Sequence, residues 1–150
     1  MELKTGSAES TLDDKGRVNI PVRFREYFQG KLVITCGFER SVLIMTPAVW
    51  ENFERSLRNS DAHIHAERQF LENKHLSQAQ VVEVDKVGRI AVPATLRKYA
   101  GLTKDCMVIR SEGRMNIWDS GTWDAYLEEN DELAREAINK LGTQDIFRVG

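Results

Sequence analysis

The sequence predicts an α+β fold in which one strand-rich unit occurs twice. Residues 12–28 and 84–100 match at an offset of 72 positions, with six of 17 residues identical, whereas composition alone would give roughly one. Short alternating apolar stretches in both segments predict strands, and longer patterned stretches outside them predict helices. The chain of 150 residues is long enough for one ordinary domain or two small ones. We therefore expect a duplicated fold with flanking helices.

Each unit begins with a tight turn and a short strand. Residues 18–20 and 90–92 alternate apolar with small or polar side chains, which is typical of a half-buried strand. Gly16 and Gly88 directly precede the arginines that lead into these strands, where a tight turn requires a positive φ. Both glycines are therefore predicted to be structural residues.

A proline and a short helix follow each of these strands. Pro21 and Pro93 lack the N–H that a sheet ladder needs, but proline suits the first turn of a helix. The segments 22–28 and 94–100 are therefore predicted to be short helices, each of which a glycine ends.

Two further strands are predicted in each unit, joined by a hairpin that contains glycine. Beyond residue 102 the match between the copies resumes at an offset of 73. Longer helices are predicted after the hairpins, one with Thr46 as its N-cap, one over 62–76 and one over about 120–141. The predicted strand bounds are about 31–36, 41–45, 106–109 and 114–118.

Composition excludes several classes of protein. The formal charge of −2 excludes a uniformly basic nucleic-acid coat, and no apolar run reaches the roughly 18–20 residues of a membrane span. The polar N-terminus lacks the apolar core of a signal peptide. Cys36 and Cys106 lie 70 positions apart inside predicted strands, which excludes a disulfide framework and suggests small core residues. The expected location is the cytoplasm, without a membrane partner.

Basic residues concentrate in the two matched segments. Residues 13–26 have a net charge of +1 and residues 83–98 a net charge of +2, so the remaining chain is net acidic. A rigid strand–turn–helix unit that presents arginine suits phosphate and guanine recognition. The basic residues of the two copies are Lys15, Arg17, Arg23 and Arg25, and Lys86, Arg89, Arg97 and Lys98.

An aspartate stands four residues before an arginine in both copies. Asp13 precedes Arg17, and Asp85 precedes Arg89. One interpretation is an ion pair that staples the turn, worth about 0–1 kcal/mol if it is exposed. The other is that the pair forms part of a functional site, and for the aspartates the sequence leaves both open.

The two units resemble the MraZ family of bacterial transcriptional regulators, which are built from two AbrB-like (SpoVT–AbrB) domains. The Gly-Arg–strand–Pro–helix units, the hairpin 37–40 and the segment 117–123 carry the resemblance, which covers about residues 6–129. It implies a swapped-hairpin β-barrel whose two copies interlace as a pseudo-dimer. It also implies a ring-shaped homo-oligomer that binds short direct repeats in promoter DNA, typically that of the division and cell-wall gene cluster headed by its own gene.

The resemblance implies that DNA is contacted by eight basic residues. Thr95 stands opposite Arg23, and Glu26 stands opposite Lys98, so the halves need not contribute equally. The repeated arginines are the strongest candidates. The full set is Lys15, Arg17, Arg23, Arg25, Lys86, Arg89, Arg97 and Lys98, with Asp13, Gly16, Pro21, Asp85, Gly88 and Pro93 as motif residues of structural importance.

The resemblance also sets the expected organisation of the chain. Residues 7–54 and 83–126 are predicted to be the two SpoVT–AbrB domains. Residues 55–82 form a helical connection between them, and residues 127–150 form a C-terminal helix and tail. The copies are expected to pack as one body, because no linker is rich in proline or serine.

A promoter-binding regulator has three alternatives. A non-specific architectural DNA binder at the nucleoid stays open. An enzyme is not expected, because no serine, cysteine or histidine lies at a matching place in both copies and no phosphate-binding glycine loop occurs. An AbrB-type antitoxin usually has one barrel half and a disordered tail, unlike this chain.

Metals, cofactors and small-molecule substrates are not expected. His63 and His65 lie two positions apart, so on a helix they face different directions, and His75 is remote. No carboxylate or thiol completes a tetrahedral set around them.

Overall fold

The computed structural model describes residues 1, 3–59, 65–142 and 146–149. It divides into two compact units, Met1–Ser120 and Gly121–Gly150, and the strands of both repeats lie in the first unit. The predicted α+β class and the duplication are confirmed. His63 and the predicted helix start at 62 lie outside the described residues.

The elements follow the predicted order, with one further strand ahead of the turn in each repeat. The strands are β1 (Gly6–Thr11), β2 (Arg17–Asn19), β3 (Lys31–Cys36), β4 (Val42–Met45), β5 (Gln80–Glu83), β6 (Arg89–Ala91), β7 (Asp105–Ser111) and β8 (Arg114–Asp119). The helices are α1 (Pro47–Arg58), α2 (His65–Leu71), α3 (Ala94–Ala100), α4 (Ser120–Glu129) and α5 (Asp131–Leu141). A 3₁₀ turn spans Val22–Phe24, and α2 continues as a π-helical segment over Glu72–Leu76.

The two repeats exchange strands. In the described part of the chain, six antiparallel strands form a main sheet in the order β1-β7-β8-β4-β3-β5, and β2 pairs with β6 as a separate ribbon. The first strand of each repeat thus pairs with the third strand of the other, as β1 with β7 and β5 with β3. Neither repeat has a complete set of strand partners of its own.

The strand register shows an internal twofold relation between the copies. In the ribbon Val18 pairs with Ile90, its own equivalent 72 positions later. In the main sheet Leu43 pairs with Asn116, its equivalent 73 positions later. A pseudo-twofold axis therefore passes through both pairs, as in a symmetric dimer whose subunits have been fused.

The sequence alignment of β3 with β7 is wrong by one residue. The Leu12 N–H donates to Lys104 O at 2.9 Å, and the Val84 N–H donates to Gly30 O at 2.9 Å. These equivalent bonds set the offset between β3 and β7 at 74 rather than the expected 73. The extra position keeps the inward-facing side chains of both strands on the core side, since a slip of one residue would turn them outward.

The predicted closed barrel is corrected to an open sheet that the ribbon covers. The edge strands β1 and β5 are not hydrogen-bonded to each other in the described residues; instead β2 contacts β1 and β6 contacts β5. Each ribbon strand has three residues and ends two positions before a proline, Pro21 or Pro93. A proline cannot donate to a ladder, so neither strand extends further along the sheet.

The core lies between the ribbon and the main sheet. Val18 and Ile90 point inward from the ribbon and are buried together with Ile34 of β3. Cys36 and Cys106 are buried in the same core, which confirms their interpretation as core residues. Burial raises the pKa of the Cys106 thiol to about 11. The ribbon is thus fixed by its apolar side and exposes its other side.

The two post-proline segments differ in structure. The predicted helix over 94–100 is observed as α3, whereas the predicted helix over 22–28 is only a 3₁₀ turn over Val22–Phe24. The first segment contains a β-branched residue and three aromatic residues, which lose side-chain freedom in a helix. α3 instead contains two alanines and a leucine and ends at Gly101 in the left-handed conformation.

The C-terminal helix is divided. The predicted helix over 120–141 is observed as α4 and α5, which are separated at Asn130. Thr46 is confirmed as the N-cap of α1, since its hydroxyl accepts a hydrogen bond from the Val49 N–H at 3.4 Å.

Candidate nucleic-acid interface

The first turn (residues 13–17) is held together by one carboxylate. Asp13 Oδ1 accepts hydrogen bonds from the Lys15 and Arg17 backbone N–H groups at 2.9 Å each. Asp13 Oδ2 accepts from Arg17 Nε at 2.7 Å, so the aspartate also orients the guanidinium. The first turn is therefore stapled, and the donor is Nε rather than the terminal nitrogens.

The second turn (residues 85–89) repeats this geometry. Asp85 Oδ1 accepts from the Val87 and Arg89 backbone N–H groups at 3.0 and 2.8 Å, and Oδ2 accepts from Arg89 Nε at 2.8 Å. Hydrogen bonds from the arginine backbone lower the pKa of Asp85, and the equivalent bonds lower the pKa of Asp13. Both carboxylates therefore stay ionised at neutral pH, and each forms an ion pair with its arginine across the turn.

Each turn also receives an arginine from the other repeat. Gly16 has φ +78°, and a Cβ placed on it would overlap the Arg97 guanidinium. Gly88 has φ +87°, and a Cβ there would overlap Arg25, whose Nε donates to Ile20 O at 2.8 Å. The sequence groups Arg25 with the first turn and Arg97 with the second. The structure exchanges them, because the ribbon strands run antiparallel.

The outward side of the ribbon bears two arginines. Val18 and Ile90 are buried, so strand alternation turns Arg17 and Arg89 to the opposite face. Arg17 pairs across the ribbon with Ala91, and Asn19 pairs with Arg89. The side chains of Arg17 and Arg89 are each 30% exposed to solvent. The ribbon thus presents two oriented guanidinium groups related by the pseudo-twofold axis.

The eight basic candidates fall into two groups by exposure. The repeated residues are half-buried, each in a contact described above. The residues that the repeat does not share are exposed and so are the more accessible cations. The half-buried group is Arg17, Arg25, Arg89 and Arg97, and the exposed group is Lys15, Arg23, Lys86 and Lys98.

A surface groove adjoins the ribbon. It has a volume of about 660 Å³, and its lining includes Ser10, Asn19, Arg23 and Arg25. Ser10 Oγ donates to Asn19 O at 2.6 Å, which ties β1 to the end of β2. The groove thus combines hydroxyl and amide groups with two of the basic candidates.

Sequence reasoning missed a charged residue close to the first post-proline segment. Arg110 of β7 is 5% exposed, and its guanidinium lies 4.1 Å from the centroid of the Tyr27 ring. It occupies an inward-facing position of β7, in alternation with Cys106 and Val108. A charge at a core position of an alternating strand is the signal that could have revealed it.

Two further observations concern metals and membranes. Among the described residues, no group of three or more histidine, cysteine, aspartate or glutamate side chains could hold a metal ion. No helix in the described part of the chain is both long and apolar enough to cross a membrane.

The fold and the paired turns define a class: a duplicated α+β protein whose copies share an arginine-bearing β-ribbon. The family model of the MraZ protein, described as antitoxin-like, matches residues 3–73 and again residues 75–145. Proteins named transcriptional regulator MraZ from Frankia alni and Frankia casuarinae are each 42% identical over 136 residues, which span 91% of this chain and 94% of each relative. A protein of the same name from Parafrankia sp. is 40% identical over an equal length. The chain belongs to the MraZ family.

Proposed function

We propose that the protein is a sequence-specific DNA-binding transcriptional regulator that acts on promoter repeats, those of its own division and cell-wall gene cluster. The shared name of its relatives supports the regulation of transcription. The observation that most supports DNA as the ligand is that the solvent-facing side of the ribbon presents Arg17 and Arg89. As a promoter-binding protein, the chain acts in the cytoplasm on the nucleoid and needs no catalytic group.

The ribbon has the strand arrangement and the side chains of a base-reading element. The major groove of B-DNA admits a two-stranded β-ribbon, and arginine forms bidentate hydrogen bonds with guanine. Asp13 and Asp85 hold Arg17 and Arg89 through Nε, so the terminal nitrogens are the donors available to a base. A guanidinium already fixed in this way loses less entropy when it binds.

The exposed cations supply the phosphate contacts in this proposal. Lys15 and Lys86 lie in the two turns next to the ribbon, and Arg23 and Lys98 lie on the post-proline segments. Contacts with phosphates contribute most of the affinity and position the protein without reading sequence. Arg25 and Arg97 support the turns of the opposite repeats and stay half-buried.

We further propose that the protein works as a ring-shaped homo-oligomer. One copy carries only a small positive charge in each turn region, so many copies are needed for strong binding. α5 offers a surface for self-association, because Leu133, Ile138 and Leu141 lie on it and are exposed. Acidic residues begin α5 and Lys140 ends it, so an antiparallel pair of these helices from two copies has complementary charges.

In this proposal, DNA binding and assembly belong to different parts of the chain. Residues 7–54 and 83–126 are the two DNA-binding domains, 55–82 connect them, and 127–150 serve assembly. The strand exchange makes the two DNA-binding domains mutually dependent.

Fluorescence anisotropy tests the proposed function. We expect the protein to bind a duplex from upstream of its own gene more tightly than a scrambled duplex of equal length and composition, with affinity that falls steeply as salt rises. Sedimentation of the same samples gives the size of the bound species. Equal affinity for both duplexes would indicate a non-specific architectural DNA binder instead. No binding at low salt would refute the proposal.

A further inference from the structure

Arg110 is a buried charge that has no acidic partner among the residues the structure describes. In the described residues no carboxylate lies within ion-pair distance of its guanidinium, and Arg110 Nε is buried without a hydrogen-bond partner. An unpaired buried charge is costly, so its presence requires another source of stabilisation. Aromatic rings supply this stabilisation.

Three rings of the first post-proline segment surround the Arg110 guanidinium. Its Cζ lies 4.1 Å from the Tyr27 centroid, 5.8 Å from the Phe28 centroid and 5.9 Å from the Phe24 centroid. Cations within about 6 Å of a ring centroid are attracted to it, more strongly when they are desolvated. Arg110 belongs to the second repeat and therefore anchors a segment of the first.

Arg110 is also linked to the exposed cation of that segment. Arg23 Cζ lies 5.1 Å from the centroid of Phe24, the same ring that Arg110 approaches. Gly6 lies opposite Arg110 in the strand register, and a Cβ on Gly6 would lie 3.8 Å from Arg23 Nη2. Because two guanidinium groups near one ring repel each other, the buried one favours outward positions of the exposed one.

The second post-proline segment is held in place by different residues. At the offset of 74, the position equivalent to Arg110 is occupied by the small side chain of Cys36. Tyr99 is held instead by its hydroxyl, which donates to Gly37 O at 3.0 Å and Glu39 O at 3.1 Å. Lys74 Nζ lies 5.4 Å from the Tyr99 centroid. Only the first half uses a buried arginine for this purpose.

We propose that Arg110 is a positioning residue that holds the first post-proline segment and directs Arg23 toward bound DNA. This inference rests on the proposed function, since Arg23 is the residue through which Arg110 acts. It makes the two halves of the molecule unequal. The first half depends on a cation–aromatic cluster that joins both repeats, and the second half depends on hydrogen bonds to the 37–39 backbone.

The test compares Arg110→Met with Arg23→Ala, the double variant, Arg110→Lys and the control Lys74→Met. Methionine keeps an extended apolar side chain but removes the charge. Lys74→Met makes the same change next to Tyr99, the ring of the second repeat that is equivalent to Tyr27. Affinity for the upstream duplex is measured by anisotropy over a salt series, with the active fraction fixed by stoichiometric titration. Thermal melting is followed for every variant.

We expect Arg110→Met to weaken binding about tenfold in 0.1 M salt and to reduce the slope of log K against log salt by about one, as the loss of one phosphate contact does. Arg23→Ala should have the same effect, and the double variant should bind no more weakly than Arg23→Ala alone. Arg110→Lys should keep the slope. Arg23→Ala should reduce the slope by the same amount in the Lys74→Met protein as in the wild type.

A lower melting temperature or active fraction with an unchanged slope would overturn the inference, because a purely structural role does not remove a phosphate contact. Additive losses in the double variant would also overturn it. NMR of the DNA-free protein gives an independent readout, in which Arg110→Met should increase the mobility of the Arg23 Nε–H group. If the wild-type protein fails to bind DNA, the proposed function fails, and unchanged Arg23 mobility would then refute the positioning role as well.

Discussion

At the scale of single residues, the four repeated arginines are all half-buried, but their contacts give them two different roles. Arg17 and Arg89 face solvent on the ribbon, where an aspartate orients each one. Arg25 and Arg97 cover the glycines of the opposite turns, which explains why both copies have glycine and arginine at these places. The repeated residues are thus partly structural.

The contact between Gly16 and Arg97 leads to a stability prediction. Gly16→Ala should lower the free energy of unfolding by about 2–4 kcal/mol, because the left-handed φ costs roughly 1–2 kcal/mol and the displaced guanidinium adds to it. Gly30→Ala is a matched control, since Gly30 has φ +66° and a Cβ there has nothing within 4 Å. Urea unfolding measures both.

The comparison separates packing from backbone strain. Gly30→Ala should cost about 1–2 kcal/mol, since only the backbone is strained. Arg97→Ala should recover part of the loss in Gly16→Ala by making room for the methyl group. Equal losses for the two glycine variants would contradict the packing of Arg97 on the first turn.

Local patterns allowed the turns to be predicted from sequence, whereas contacts between the repeats could not be. The glycine before each strand and the aspartate four residues before each arginine are short-range signals, and both turns have the predicted form. The exchange of Arg25 and Arg97 depends on which strands pair, and no residue near them indicates it. Arg110 was missed because its partners lie more than 80 positions earlier in the chain.

At the scale of elements, strand exchange makes each repeat incomplete. β1 needs β7, β5 needs β3, and the ribbon needs a strand from both copies. The repeat predicted this relation only through its resemblance to a known family. The open sheet and the 3₁₀ turn were not predicted, because they depend on prolines that stop the ribbon and on aromatic side chains that disfavour a helix.

A fragment with one repeat tests this dependence. We expect residues 1–79 to be unfolded as a monomer at low concentration, because Val18 and the edge of β4 lose their partners. At higher concentration the fragment should fold as a dimer, since the register around Val18 and Leu43 is symmetric. Circular dichroism and sedimentation over a concentration series measure this, and a folded monomer would contradict the interlaced architecture.

At the scale of the whole molecule, charge is distributed unevenly. The chain has a formal charge of −2, yet both matched segments are net positive. The acidic remainder disfavours contact with DNA through other surfaces, and the ribbon offers a site that a ring would repeat. The proposed DNA binding therefore depends on one surface, the ribbon with its two turns.

The most direct test of that surface removes its two central arginines. Arg17→Ala and Arg89→Ala are compared with Arg58→Ala, an exposed arginine of α1 that matches the change in charge. Anisotropy is measured on the upstream and scrambled duplexes at several salt concentrations. We expect each ribbon variant to lose about 1–3 kcal/mol of discrimination between the duplexes, while Arg58→Ala keeps it. If the ribbon variants keep wild-type discrimination, the ribbon does not read DNA and the central claim is wrong.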